Sequence, residues 1–138
     1  MNIVETIANI NELSTFYQLP VLTKLQGLRC SVYYPLENES HYNNDTKFSY
    51  SENPNQTKQI LIKNTFQEVL MGNNSYDPYG ESLIEAIVLY QDIIPVNSKI
   101  QAFKGSGYTL YRVDNNPNVI TSNDGKYLFV KHKLIAIS

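Results

Sequence analysis

The chain has 138 residues, with 13 acidic and 11 basic side chains and a formal net charge of −2. That length suits one domain able to bury a core without disulfides or metals. The slight acidity excludes a protein whose main task is gripping phosphates, though a local basic strip stays open.

Charged residues make up only 17% of the chain, and Asn, Ser, Thr, Gln and eleven tyrosines fill the polar surface instead. This is not the composition of a disordered tail. A single cysteine, Cys30, cannot form an internal disulfide. It alternates with Leu28, Val32 and Tyr34 and reads as a small buried hydrophobe. The first residues carry neither a basic cluster nor a continuous apolar run, so no signal peptide is expected. No window offers the roughly 18 apolar residues of a membrane span. The expectation is a soluble protein made in a cytoplasm. The N-x-S/T triplets at Asn38, Asn44, Asn55 and Asn73 are explained by the abundance of Asn.

In chain order, Ile3, Ile7, Ile10, Leu13 and Tyr17 recur every three or four residues, which predicts a helix within residues 1–18. Leu19-Pro20 is expected to end it, since the residue before proline avoids the helical region. From Pro20 the period changes to two. "PVLTKL" and "LRCSVYYPL" read as strands flanking a Gln26-Gly27 turn. Leu28, Cys30, Val32 and Tyr34 face one way, and Arg29, Ser31 and Tyr33 the other. Residues 37–45 read as a polar loop, "TKFSYSE" as a short strand, "NPNQ" as a turn and "TKQILIKNTF" as a strand. Residues 71–81, rich in Gly, Asn, Asp and Pro, read as a second long loop. "LIEAIVLYQDIIP" suits a strand or a short helix, with Ile, Val and Tyr favouring the strand.

Next comes a hairpin. Val96, Ser98, Ile100 and Ala102 share one face, Lys99, Gln101 and Phe103 the other, and Gly105-Ser106-Gly107 supplies the turn before Tyr108–Val113 returns. Asp124-Gly125 marks another turn. A last strand alternates Leu128, Val130, His132 and Leu134 against Tyr127, Phe129, Lys131 and Lys133. These elements predict a mainly β single domain, 1–138: a small antiparallel barrel or sandwich of about seven strands over 20–138, an N-terminal helix and two long loops.

No catalytic, cofactor-binding or metal-binding motif emerges, and the chain is not expected to be an enzyme. Only His41 and His132 could act as a base for a nucleophile, one in the polar loop and one in a lysine-flanked strand. Two histidines and one distant cysteine match no zinc spacing. Asp77, Glu81 and Glu85 lack the spacing of a helix-loop-helix calcium loop and read as solvated. "GSG" lacks the lysine and helix of a phosphate cradle. Nothing selects a carboxylate pair for glycoside cleavage. The tyrosines carry more information. Tyr33, Tyr34, Tyr42, Tyr50, Tyr76, Tyr79 and Tyr108 are the candidate interaction residues, because a ring with a polar tip suits wet interfaces and sugar stacking. Ordinary β-sheet composition accounts for them equally well.

"LRCSVYYPL", "FSYSENP", "ILIKNTF", the Tyr-Asp-Pro loop, "IVLYQDIIPVNSKIQAF" and "GYTLYRVDN" follow one another in an order that resembles neck proteins of tailed bacteriophages, the head-closure or stopper class. The hairpin from Ile94-Pro95 to Ile100 and from Tyr108 to Val113 carries most of the likeness, which extends over most of residues 25–138. The resemblance implies a β-barrel subunit of the virion that forms a six- or twelve-fold ring. Its implied partners are the portal or connector protein and the tail proteins. A loop, 37–45 or 71–81, would point inward to help retain packaged DNA, with only non-specific proximity to that DNA. It implies no catalytic residue, no cofactor and no membrane. The alternative reading is a carbohydrate- or protein-binding β-domain, such as a tail or baseplate component, with Tyr76, Tyr79 and Tyr108 reading the ligand.

Overall fold

Eight strands and one helix follow the order β1 (Val4–Ile7), α1 (Ile10–Gln26), β2 (Leu28–Tyr33), β3 (Gln56–Met71), β4 (Ser75–Leu89), β5 (Lys99–Lys104), β6 (Gly107–Val113), β7 (Asn118–Thr121) and β8 (Tyr127–Ile137), with a 3-10 turn at Tyr90–Asp92. The computed structural model describes residues 3–36, 48–71 and 75–137, with the side chains of all of these except 65–71 and 75–82.

Six strands close into an antiparallel barrel in the circular order β2-β3-β4-β8-β6-β5. Closure depends on β8, whose residues 129–133 pair with β4 while 134–137 pair with β6. The edge of β8 facing β6 pairs lower down with β7, and β7 carries β1 in parallel. Closure pairs the six barrel strands on both sides, where a free edge would otherwise run the length of the barrel, and leaves β1 at the open edge of the sheet. The expected mainly β barrel with an N-terminal helix is the observed architecture.

Period-two alternation builds the interior. Cys30 and Val32 of β2, Ile100 and Ala102 of β5, Tyr111 and Val113 of β6, and Val130 and Leu134 of β8 point inward around Ile60, Ala86 and Ile94. A second apolar layer lies outside the wall, where Phe16, Leu19 and Leu22 of α1 cover Leu61, Ile87, Ile120 and Phe129. Each fully buried Val, Leu, Ile or Phe among them contributes about 1.5–3 kcal/mol.

The N-terminal segment departs from the expected pattern. The helix runs from Ile10 to Gln26 and contains Pro20, whereas the apolar period placed it within 1–18. Residues 4–7 form β1 instead, because Thr6 and its neighbours find a ladder on β7. Asn9 starts the helix with a capping box. Its Oδ1 accepts the Glu12 N–H at 2.8 Å, and Glu12 Oε1 accepts the Asn9 N–H at 3.1 Å. Glu12 Oε2 also accepts from Lys131 Nζ at 3.2 Å, which ties the first turn to β8. Pro20 offers no N–H to the turn before it. The packing of Phe16, Leu19 and Leu22 into the second layer, with Leu19 only 1% exposed, outweighs that loss. "PVLTKL" is therefore helix, not strand. Gly27 is the helix C-cap, not a strand turn: its N–H bonds to the Thr23 carbonyl at 2.9 Å. A Cβ there would lie 2.3 Å from that carbonyl oxygen, a close approach only glycine allows.

Two further expectations are corrected. Most of residues 71–81 is not loop. Met71 ends β3, β4 starts at Ser75, and Val69↔Asp77, Leu70↔Tyr76 and Met71↔Ser75 are paired. The Val-Leu-Met and Ser-Tyr flanks supply a ladder that overrides the turn-like composition. "TKFSYSE" is not a strand over its described part, Phe48–Glu52. It contributes one isolated bridge, Tyr50 to Pro35. The loop expected at 37–45 lies outside the described residues.

The β5–β6 hairpin forms as its alternation requires, with Gly105 at φ +56° in the turn. Gly125 at φ +85° serves the β7–β8 turn, where the Ser122 hydroxyl donates to the Asp124 carboxylate.

Candidate functional site

In the circular strand order, β5 and β6 lie across the barrel from β3 and β4, against which α1 packs. The outer face of β2, β5 and β6 is therefore the one the helix leaves bare. Its side chains are those that alternate with the barrel interior. Tyr33, Lys99 and Arg112 sit side by side, since Tyr33 pairs with Lys99 and Lys99 with Arg112. The next outward row is Ser31, Gln101 and Leu110, and beyond it Phe103 pairs with Tyr108. Arg29 stands one pleat further along β2. A shallow open depression lies between Arg29, Ser31, Thr57 and Phe103.

Aromatic rings and cations interleave on this face. The Lys99 ammonium stands 4.4 Å from the Tyr33 ring centroid and 5.1 Å from that of Tyr50. Such contacts favour a cation held in place by ring quadrupoles. The Tyr50 hydroxyl donates to the Asn97 carbonyl at 2.7 Å. Asn97 itself takes a left-handed conformation at φ 67°, which asparagine tolerates better than most residues. Burial raises the Tyr50 phenol above its ordinary value, with the Arg112 charge opposing. Arg112 lies 5.6 Å from the Phe48 ring centroid, and its Nε has no hydrogen-bond partner among the described residues. At the hairpin end Phe103 and Tyr108 meet edge to face with centroids 6.3 Å apart, 39% and 59% exposed.

Charge segregates here. β2, β5 and β6 together carry Arg29, Lys99, Lys104 and Arg112 and no acidic residue, in a chain whose net charge is −2. The opposite wall mixes signs, with Glu85 paired between Lys63 and Lys133.

Of the tyrosines expected to interact, Tyr33 and Tyr50 come together over Lys99, and Tyr108 stands on the same face at the hairpin tip. Tyr34 does not join them: it packs against the barrel interior, and its N–H donates to Asn55 Oδ1 at 2.9 Å. Tyr42 lies outside the described residues. Tyr76 and Tyr79 fall within β4, with side chains outside the description. Arg29, Phe48, Lys99, Phe103, Lys104 and Arg112 were not anticipated. A charge count taken strand by strand, instead of over the whole chain, would have found the four cations.

Cys30 is fully buried, and burial pushes its thiol up to about 11, so it is no ready nucleophile. His132 is also fully buried. Its Nε2 accepts the Ile94 N–H at 3.1 Å, so Nδ1 carries the proton, and no described group accepts it. Burial first, then the Lys58 charge, hold this imidazole down to about 4. His41 lies outside the described residues, as do the side chains of Asp77 and Glu81. Among the described residues no group of three His, Cys, Asp or Glu could hold a metal ion. A cleft of about 250 Å³ between α1 and the wall, lined by Leu19, Pro20, Thr23, Lys58, Gln59 and Asp92 among others, pairs no nucleophile with a base. No helix among the described residues is long and apolar enough to cross a membrane.

No protein-family model matches the chain, and no curated protein or solved structure is significantly similar to it.

Proposed function

We propose that the chain is a non-enzymatic assembly subunit, of the kind the phage-neck resemblance implies. Copies form a ring in the virion that joins the portal or connector to the tail and helps retain packaged DNA. One observation carries the assembly reading. Seven of the twelve large apolar side chains exposed among the described residues come from residues 3–25: Ile3, Val4, Ile7, Ile10, Tyr17, Val21 and Leu25. Ile10, Tyr17, Val21 and Leu25 fall on one outward stripe of α1, opposite the Phe16, Leu19 and Leu22 face that meets the barrel. The stripe adjoins β1, whose outer edge has no strand neighbour among the described residues. Contiguous exposed apolar surface of this kind marks contact sites. A contact that joins one face to a different face of the next copy closes into rings.

Native mass measurement and negative-stain imaging of the purified protein, alone and with its connector, test this. Rings are expected, and Tyr17→Lys with Leu25→Lys should abolish them while leaving the circular dichroism unchanged. A monomer at high concentration that ignores the connector would overturn the reading. The second reading, a carbohydrate- or protein-binding β-domain, draws on the exposed Phe103 and Tyr108 rings. Binding to a glycan array that depends on those two rings would favour it.

A further inference from the structure

The bare face of β2, β5 and β6 joins two properties that separately are common. Its outward side chains include three cations, Arg29, Lys99 and Arg112, and no carboxylate. It also exposes flat rings, Phe103 and Tyr108, beside the depression at Arg29 and Ser31. From the Phe103–Tyr108 pair to the Lys99–Arg112 pair is four residues along the strands, about 13 Å. Rings and cations thus share one short track: Phe103 and Tyr108 with Arg29, then Tyr33 with Lys99 and Arg112.

An occupant must therefore be negative at regular intervals and must offer planar apolar faces between its charges. An acidic peptide satisfies the first demand only, and a neutral glycan only the second. A duplex hides its base faces. A single strand of nucleic acid meets both demands, through backbone neutralisation and base stacking on exposed rings. We propose that this face is a short binding site for single-stranded nucleic acid. Phe103 and Tyr108 stack bases, and Arg29, Lys99 and Arg112 neutralise phosphates. Lys99 is held ready by the Tyr33 and Tyr50 rings. The site does not depend on the assembly reading, because the helix stripe lies on the other side of the barrel.

The test is fluorescence anisotropy of the full chain with a labelled oligothymidylate of about 12 nucleotides, within the range one small barrel covers. Binding is expected at about 50 mM salt, and neutralising three phosphates should weaken it about 20-fold by about 200 mM. Phe103→Ala with Tyr108→Ala should weaken binding about tenfold or more at constant salt slope. Arg29→Gln with Lys99→Gln should instead flatten the salt slope by about one to two. These four positions lie on the exposed wall or hairpin tip, and circular dichroism checks that the variants fold. Lys24→Gln, on the helix, should change nothing. No binding at about 50 mM salt overturns the proposal. So does equal binding of a duplex of the same length or of polyglutamate, and so does indifference to loss of the rings.

Discussion

His132 offers a sharp test of the barrel interior. Its imidazole is fully buried, receives the Ile94 N–H on Nε2, and is held at about 4 against an ordinary value of 6.5. Protonation would put a second N–H on Nε2, pointing at the Ile94 donor. Between pH 4 and 6.5 the folded chain keeps His132 neutral while the unfolded chain protonates it. The unfolded state binds more protons there, so stability rises with pH across that window. This contribution is complete above pH 6.5 and is lost as pH falls to about 4. At 1.36 kcal/mol per pH unit, the separation amounts to about 3 kcal/mol.

Urea denaturation at a series of pH values, for the wild type and for His132→Gln, isolates this term. Glutamine keeps an acceptor for Ile94 and does not titrate, and the carboxylates common to both proteins cancel in the comparison. The wild type should lose about 3 kcal/mol relative to the variant on going from pH 6.5 to 4. Parallel stability curves would refute the buried neutral imidazole. Should the variant not fold, the His132 ring resonances of the wild type decide the matter. They should stay at neutral shifts down to about pH 5, and a midpoint near 6.5 would contradict the burial.

Two other outcomes follow from the packing. Gly27→Ala brings a Cβ against the Thr23 carbonyl oxygen, which is backbone and cannot turn aside. It should destabilise the fold by about 1–3 kcal/mol in equilibrium denaturation, and a neutral result would mean that the helix terminus is looser than described. The Cys30 thiol, buried and pushed up to about 11, should react with a thiol reagent at pH 8 only as fast as the chain unfolds. Rapid stoichiometric labelling of the native protein would contradict its place in the wall.

The strands most legible in the sequence are those whose two faces meet different surroundings. Cys30 and Val32 against Arg29 and Tyr33, or Ile100 and Ala102 against Lys99 and Gln101, alternate because one side lines the barrel and the other meets solvent. The helix was half legible. Ile10, Leu13 and Tyr17 have helical spacing, but Ile10 and Tyr17 point outward, and Ile3 and Ile7 belong to the segment around β1. The stripe that meets the barrel, Phe16, Leu19 and Leu22, straddles a proline that local rules treat as a stop. The contacts of these three side chains with the barrel wall, invisible in one dimension, carry the helix through it. The far ends of β3 and β4 were hidden by turn-forming residues, because each arm supplies the other's ladder. The candidate face was legible in its tyrosines and not in its cations. Lys99 and Arg112 meet across one hairpin, but only the pairing of β2 with β5 brings Tyr33 beside them and Arg29 onto the same face.

β8 is hydrogen-bonded to β4, β6 and β7, so a nascent chain emerging from the ribosome must wait for residues 127–137 before the cylinder can shut. Until then β4 and β6 present raw edges to every neighbouring polypeptide, and a chaperone or a sister molecule can seize them first. A polysome translating this message thus holds many half-made cylinders close together, each open along the same seam.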